Sequence, residues 1–298
     1  MKIFVAGGTG FVGSYIVREL LKKGHSVKCL TRRNIELHEG ATQVIGDALA
    51  PYMLPGNMFS FDAVINLIGI IREFPTRGIT FGRLHTEATR NLVDAAKAVG
   101  IKRFIQMSAN GVNDGSTSAT GYQRTKYEGE EIVKTSGLDW TIFRPSLIFG
   151  KPPEGRTEFC TEIAGVIRNA PFIPVFDGGE YRMQPVHVKD VAAAFAGSLE
   201  KPESIGKTLH LGGADTFSYK ELLDIICAAM GKKPKGKVNI PWVLARPLFS
   251  ILGKFPFFPA TAEQIDMLIE GNTVPETDYR KIFNIEPEKF SAEILGYL

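Results

Sequence analysis

The sequence predicts an α/β fold built on a doubly wound parallel sheet, with a smaller, interleaved C-terminal α/β domain. Three observations predict it. Short β-branched runs alternate with helical patterns through the first 150 residues. Glycines 7, 8, 10 and 13 stand directly between the first run and the first helical pattern. After Gly150 the pattern breaks into shorter elements interrupted by prolines, beginning with the loop Lys151-Pro152-Pro153-Glu154-Gly155.

The expected strands are Lys2 to Ala6, Ser26 to Leu30, Thr42 to Ile45, Ala63 to Ile68, Arg103 to Met107 and Asp139 to Phe143; Val12 to Lys23, Leu84 to Val99 and Tyr122 to Thr135 carry helical periodicity. Six strands in this rhythm make a Rossmann domain of residues 1–150. A strand-like run from Gln184 to Val188 and a helix from Asp190 to Leu199 read as a return of residues 184–200 to that domain. Residues 151–183 and 201–298 form the smaller substrate or partner domain.

At 298 residues the chain can bury a large core, and its 44% hydrophobic and 22% charged residues are those of an ordinary globular protein. A net charge of +3 from 35 basic and 32 acidic side chains gives no field that would gather nucleic acid. Cys29, Cys160 and Cys227 are far apart in apolar runs and read as reduced, buried thiols. Glycines at position 7 leave no room for the apolar region of a signal peptide, so a cytoplasmic location is expected, with peripheral attachment to the inner face of a membrane open. The apolar run Pro241 to Pro259 is broken by Arg246, Lys254 and prolines, too interrupted for a spanning helix of about 20 residues. It reads as a broken helical segment, with a membrane-surface contact as the alternative. Lys232 to Lys237 reads as a solvated basic turn.

Gly7-Gly8-Thr9-Gly10-Phe11-Val12-Gly13 is the phosphate-binding fingerprint of a dinucleotide fold. Gly7 permits the tight turn, Gly10 lets the backbone approach a pyrophosphate, and Gly13 lets the helix pack close to the strand. The pyrophosphate then meets the free N–H groups of the helix start. NAD sites place a carboxylate at the end of the second strand, but this chain reads Cys29-Leu30-Thr31-Arg32-Arg33-Asn34. A guanidinium fork suits a 2′-phosphate, so NADP(H) is favoured over NAD(H), the alternative being arginines that are simply exposed.

Tyr122 and Lys126 form the only Y-x-x-x-K among eight tyrosines, on one face of the helix after the fifth strand. There the Lys126 ammonium would lower the Tyr122 phenol pKa and hold the nicotinamide ribose, and Tyr122 would exchange a proton with a hydroxyl or carbonyl. The alternative is a buried phenol with Lys126 paired to Glu130. The five histidines offer no H-E-x-x-H and no cysteine spacing for a metal, and no G-x-S-x-G elbow is present.

These residues resemble the extended short-chain dehydrogenase/reductases, the NAD-dependent epimerase/dehydratases. The resemblance runs through Gly7 to Gly13, Gly46-Asp47, Asn66-Leu67-Ile68-Gly69, the Tyr122/Lys126 pair, Arg144 to Gly150 and Pro185 to Ala192. Leu84 to Leu92, Tyr122 to Glu130 and Arg182 to Val186 are similar to an atypical subgroup that includes the ninth alpha-subcomplex accessory subunit of respiratory complex I. The resemblance implies Asp47 near the adenine, Leu67, Ile68 and Gly69 along the adenosine ribose, and Pro145 beside the nicotinamide. It also marks departures. Asn110 stands where the family has a carbonyl-polarising Ser or Thr, Ser108 lies two residues earlier, His85 replaces an asparagine, and the stretch from Asn110 to Tyr122 is short.

Two functions follow from these residues. One is an NADP(H)-dependent oxidoreductase or epimerase acting on a hydroxyl or ketone, with Tyr122 as acid/base, Lys126 as activator, and Asn110 or Ser108 assisting the carbonyl. Trp242, Leu248, Phe249 and Phe255 would then wall its substrate, suiting a lipid or isoprenoid quinone better than a sugar nucleotide. The other is an NADP(H)-holding structural, assembly or redox-sensing protein, meeting a membrane surface or respiratory-complex partner through the apolar C-terminal segment.

Overall fold

A computed structural model describes residues 1–112, 119–255, 258–275 and 279–298. The chain divides into two compact units: one of Met1–Pro145, Val188–Leu211 and Glu276–Glu286, the other of Ser146–His187, Gly212–Pro275 and Pro287–Leu298.

The first unit is the doubly wound domain. Strands β1 (Lys2–Ala6), β2 (Ser26–Thr31), β3 (Thr42–Ile45), β4 (Ala63–Asn66), β5 (Arg103–Met107) and β6 (Asp139–Pro145) appear where the sequence predicts them, within a residue or two. A seventh, β11 (Lys207–Leu211), completes a parallel sheet of order β3-β2-β1-β4-β5-β6-β11. The order reverses between β1 and β4, and such a reversal opens the crevice where ligands bind. Helices α2 (Leu54–Met58), α3 (Ala88–Ala98) and α4 (Gly121–Lys134) cover one face. Phe4, Val64, Phe104 and Ile142 meet Leu54, Leu92 and Val133 there. On the other face α1 (Phe11–Lys22) packs against α6 (Val188–Gly197), and Phe143 meets Phe195 of α6 and Phe283 of α10 (Tyr279–Phe283), with ring centroids 4.5 and 5.9 Å apart.

Two expected elements are changed. The helix read from Leu84 begins instead as a π-helical turn, Gly82–Glu87, before α3. The strand read at Gln184 to Val188 is only β10 (Val186–His187), paired with β7 (Ile148–Phe149) in the second unit, and the helix α6 starts immediately after it.

The second unit holds two further short pairs, β8 (Ile173–Phe176) with β13 (Lys237–Ile240) and β9 (Arg182–Met183) with β12 (Phe217–Ser218). Its core is made by α5 (Phe159–Asn169) and α7 (Tyr219–Ala229), through Cys160, Ala164, Ile167, Leu222, Leu223 and Ile226. The basic turn is not simply solvated: Lys235 donates to the Ile167 and Ala170 carbonyls at the end of α5, and Lys237 pairs with Asp224. All three cysteines are free thiols and buried.

The segment after Pro241 is α8 (Trp242–Leu252), with Pro247 inside it, followed by α9 (Ala262–Ile269). Trp242 and Phe249 pack into a small core with Phe176 and Ile265. Leu248 and Phe255, expected to share a wall with them, point to solvent at 54% and 48% exposure, along with Val243, Leu244 and Ile251. At 100° per residue Val243, Leu244, Leu248 and Ile251 lie on the side of α8 away from Trp242 and Phe249, and Phe255 lies beyond the helix end, so the expected residues do not form one wall. No helix among the described residues is long and apolar enough to cross a membrane.

Candidate functional site

The phosphate loop follows from what each glycine must avoid. Gly7 has φ +86°, and a β-carbon there would lie 2.8 Å from the Leu67 carbonyl carbon. One at Gly13 would sit 2.3 Å from the Gly7 oxygen, so Gly13 is fixed by helix packing. Gly10 differs: a β-carbon would meet only the Gly7 oxygen at 3.4 Å and otherwise open space. Gly10 is the N-cap of α1, which has no side-chain cap and no acidic residue in its first turn. The amides of Phe11, Val12 and Gly13 therefore have no helical acceptor and gather at a positive helix end. A loop with space at Gly10 and unpaired amides behind it fits a pyrophosphate.

Around the loop, Leu67 leaves β4 with its amide on the Ala6 carbonyl (2.8 Å), and Ile68 N donates to Asn66 Oδ1 (3.1 Å). Asn66 is itself fixed by buried bonds from its amide to Thr89 and Gln106, an arrangement no sequence pattern announces. Thr9, Phe11 and Val12 are half-buried along the loop, with Gly8 buried beside the Cys29 thiol. At the end of β2, Thr31 is buried while Arg32 and Arg33 are exposed and form no ion pair or hydrogen bond with the described residues. Asp47, half-buried beyond β3, accepts from Leu49 N at 2.9 Å.

At the other end of the crevice α4 is fixed by a Thr120–Gln123 capping box, which sets the register of Tyr122 and Lys126. Lys126 is buried, donates to the Met107 carbonyl at 3.2 Å, and faces Gly69, where a β-carbon would lie 3.0 Å from Nζ. The fold thus brings together Gly69 from the loop after β4, the end of β5 and Lys126. Burial lowers the Lys126 ammonium to about 8, with Glu130 opposing the shift. Tyr122 is half-buried, and its ring sits edge-on to Phe81 and His85 at 5.7 and 5.2 Å. Its hydroxyl makes no hydrogen bond to the described residues. Burial pushes that phenol up to about 12, the opposite direction from the lowering expected of Lys126.

Glu130 is not the partner of Lys126. It is fully buried and held by Arg144 through both oxygens (2.8 and 2.7 Å). Burial would raise this carboxyl, but hydrogen bonds from Arg144 and Ser108 outweigh it and hold it below the ordinary value. Ser108 gives its hydroxyl proton to Glu130 at 2.6 Å, so it does not offer that proton to a substrate carbonyl as expected. Asn110 is held by its amide on the Pro145 carbonyl (2.9 Å), which also places buried Pro145 at the end of β6, and its side-chain oxygen lies 3.2 Å from His210 Nδ1. Residues 113–118, within the short stretch from Asn110 to Tyr122, lie outside the described residues.

His85 is buried, and burial, then the Lys126 charge, lower it to about 2. His85 Nδ1 lies 3.0 Å from Thr125 Oγ1, and Nε2 lies 3.2 Å from the Ile70 amide and 3.1 Å from its carbonyl, so both ring nitrogens are engaged in either tautomer. A neutral imidazole with both nitrogens engaged stands edge-on to the Tyr122 ring. Sequence reasoning missed the buried Arg144–Glu130 pair and His210; the only trace was Glu130 one turn after Lys126.

A crevice with a glycine phosphate loop at one end and a tyrosine–lysine pair at the other defines a nicotinamide-dinucleotide protein of the short-chain dehydrogenase/reductase type. The model of the NAD dependent epimerase/dehydratase family matches residues 3–212, and the chain belongs to that family. It is 32% identical over 285 residues to the mitochondrial NADH dehydrogenase (ubiquinone) 1 alpha subcomplex subunit 9 of Arabidopsis thaliana, covering 91% of this chain and 68% of that one. To the ceramide reductase of Caulobacter vibrioides it is 27% identical over 238 residues, covering 78% and 72%. Among solved structures, the UDP-glucose 4-epimerase of Thermotoga maritima shares the fold at a TM-score of 0.75 and 19% identity, covering 99% and 96% of the two chains.

Proposed function

We propose that the chain is an NADP(H)-dependent reductase acting on a ketone carried by a lipid, with Tyr122 as the proton donor. The observation that carries this reading is the Tyr122 hydroxyl, which has no hydrogen-bond partner among the described residues and lies one turn from buried Lys126. A phenol pushed up to about 12 stays protonated at neutral pH, which suits giving a proton to a carbonyl oxygen rather than taking one from a hydroxyl. The cofactor supplies the hydride. Gly7, Gly8, Thr9, Gly10, Phe11, Val12 and Gly13 would hold its pyrophosphate, Asp47, Leu67, Ile68 and Gly69 its adenosine, and Lys126 and Pro145 its nicotinamide end. Arg32 and Arg33, exposed and unengaged, would take the 2′-phosphate. Lys126 has the reach and the burial to orient a ribose hydroxyl.

The lipid ketone is supported by the relative named for ceramide. The test follows NADPH oxidation with a ceramide whose C3 hydroxyl has been oxidised to the ketone, beside UDP-glucose. Turnover of the ceramide ketone alone supports the reading, and turnover of UDP-glucose alone returns the chain to nucleotide-sugar chemistry.

A second reading is a cofactor-holding component of a membrane-bound respiratory assembly. It is favoured by exposed Val243, Leu244, Leu248 and Ile251 on α8, with Phe255 just beyond it, and by relatives that are complex I subunits. Under that reading these residues meet a membrane surface or a partner subunit. Co-sedimentation with vesicles, lost in a Leu244→Glu, Leu248→Glu variant that still binds NADPH, would support it.

A further inference from the structure

Exposed arginines at the end of β2 distinguish a 2′-phosphate from a 2′-hydroxyl well only if the chain that carries them is held still. An arginine closing on a phosphate gives up rotamer freedom, and a loose backbone would add its own ordering to that loss. Here the backbone is held by one side chain from the neighbouring strand. Gln43 of β3 lies in register with Cys29 of β2, so its side chain leaves the sheet on the face that Cys29 and Thr31 share. On that face the Cys29 thiol lies beside Gly8 of the phosphate loop. Gln43 Oε1 accepts from the Thr31 hydroxyl at 3.1 Å and from the Ile35 amide at 3.3 Å, while Nε2 donates to the Ile35 carbonyl at 3.1 Å and to Asn34 Oδ1. The two Ile35 bonds fix which end of the glutamine amide is which, since a main-chain N–H only gives and a carbonyl only accepts. One glutamine therefore ties the chain on both sides of Arg32 and Arg33, continuing the β2–β3 ladder past Thr31, the last residue of β2.

We propose that Gln43 is the positioning residue for recognition of the 2′-phosphate: it forms the bend that carries Arg32 and Arg33 before the cofactor arrives, so that binding orders two side chains rather than two side chains and a loop. Arg32 and Arg33 make no ion pair or hydrogen bond with the described residues, so Gln43 acts on the main chain around them and leaves their guanidinium groups to the phosphate. NADH, with a hydroxyl in place of that phosphate, draws little from the bend. The proposal rests on the NADP(H) reading and is independent of turnover.

Four chains are titrated with NADPH and with NADH: the parental one; Gln43→Met, which keeps the length of the side chain and loses its hydrogen bonds; Arg32→Ala with Arg33→Ala; and all three changes together. Gln43→Met is expected to weaken NADPH about fivefold, the net effect of about one hydrogen bond, while NADH stays within about twofold. In the chain without the two arginines the same change is expected to leave NADPH within about twofold, because a residue that acts through others has no effect once they are gone. The Ile35 amide of the cofactor-free parental chain is expected to be protected from hydrogen exchange, and to exchange at least about fivefold faster in Gln43→Met. NADPH affinity unchanged in Gln43→Met, equal weakening of NADPH and NADH, or the same weakening without the arginines overturns this proposal alone, the parental preference for NADPH still standing. An Ile35 amide that exchanges freely in the parental chain does so too, whatever the stability of the variants. A parental chain that binds the two cofactors equally overturns the NADP(H) reading and this proposal with it.

Discussion

Two buried charges one turn apart on α4 set opposite requirements. Lys126 would ordinarily titrate near 10.5 and is lowered to about 8 by burial. Between those values the unfolded chain binds the extra proton, so stability rises with pH across that window and the cost is fully present below 8. It amounts to at most about 3 kcal/mol. Lys126→Met is therefore expected to raise the cofactor-free melting temperature at pH 7 and weaken NADPH binding, with the stability gain shrinking towards pH 10.5. A melting series over pH in both forms checks it, and a variant that is less stable at pH 7 contradicts the account. Glu130 behaves in the reverse sense. Its folded value lies below the ordinary 4.5, so its contribution is present above 4.5 and lost as pH falls through the lowered value. Glu130→Gln should flatten the acid limb of the stability curve, while Arg144→Leu, which leaves the buried carboxylate only Ser108 and, at 3.3 Å, Lys134, should cost up to about 3–5 kcal/mol by urea titration. Of these residues only Tyr122 and Lys126 were legible beforehand, because a pair four apart on one helix is a local pattern. Arg144, His210 and Glu130 meet through three separate elements, and the exchange of Ser108 from substrate to Glu130 is visible only once those elements pack.

At the scale of elements, the glycine loop allows a test that separates binding from folding. Gly10→Val places its side chain in open space, so it is expected to keep the melting temperature within a few degrees and abolish NADPH binding. Gly13→Val drives a β-carbon into the Gly7 carbonyl and should unfold or strongly destabilise the first unit. Equal losses of stability in both would show that the loop is only a structural turn. At the end of β2, NADPH is expected to bind at least about tenfold more tightly than NADH, since a charge-assisted bond contributes on the order of 1.5–3 kcal/mol. Removing Arg32 and Arg33 together should erase that difference in parallel titrations. Strands β1, β2, β4, β5 and β6 were readable because they are short apolar runs that are largely buried, and the edge strand β3 because its short run fits the same rhythm. Strand β11 was not: Lys207-Thr208-Leu209-His210-Leu211 buries only Leu209 and Leu211, the alternation of an edge strand. The two-residue strands of the second unit and the π-helical turn at Gly82–Glu87 leave too little periodicity to detect.

For the whole molecule, the first unit is assembled from three separated stretches of chain. A fragment ending at Pro145 contains the phosphate loop and the tyrosine–lysine pair, yet lacks β11 and the α6 surface that packs on α1. It is expected to be aggregation-prone and to bind NADPH far more weakly than the full chain, as size-exclusion chromatography and titration would show; a monomeric fragment with full affinity would contradict this.

The same interruption sets a timetable during synthesis. Roughly sixty residues separate Pro145 from Lys207, and at about 5–20 residues per second the ribosome needs roughly 3 to 12 seconds to make them. Throughout that interval β6 is an open sheet edge with unpaired amides and carbonyls. The nascent chain therefore passes through a stage in which its nucleotide domain is nearly formed but adhesive, and a chaperone that shields strand edges has its window of action there.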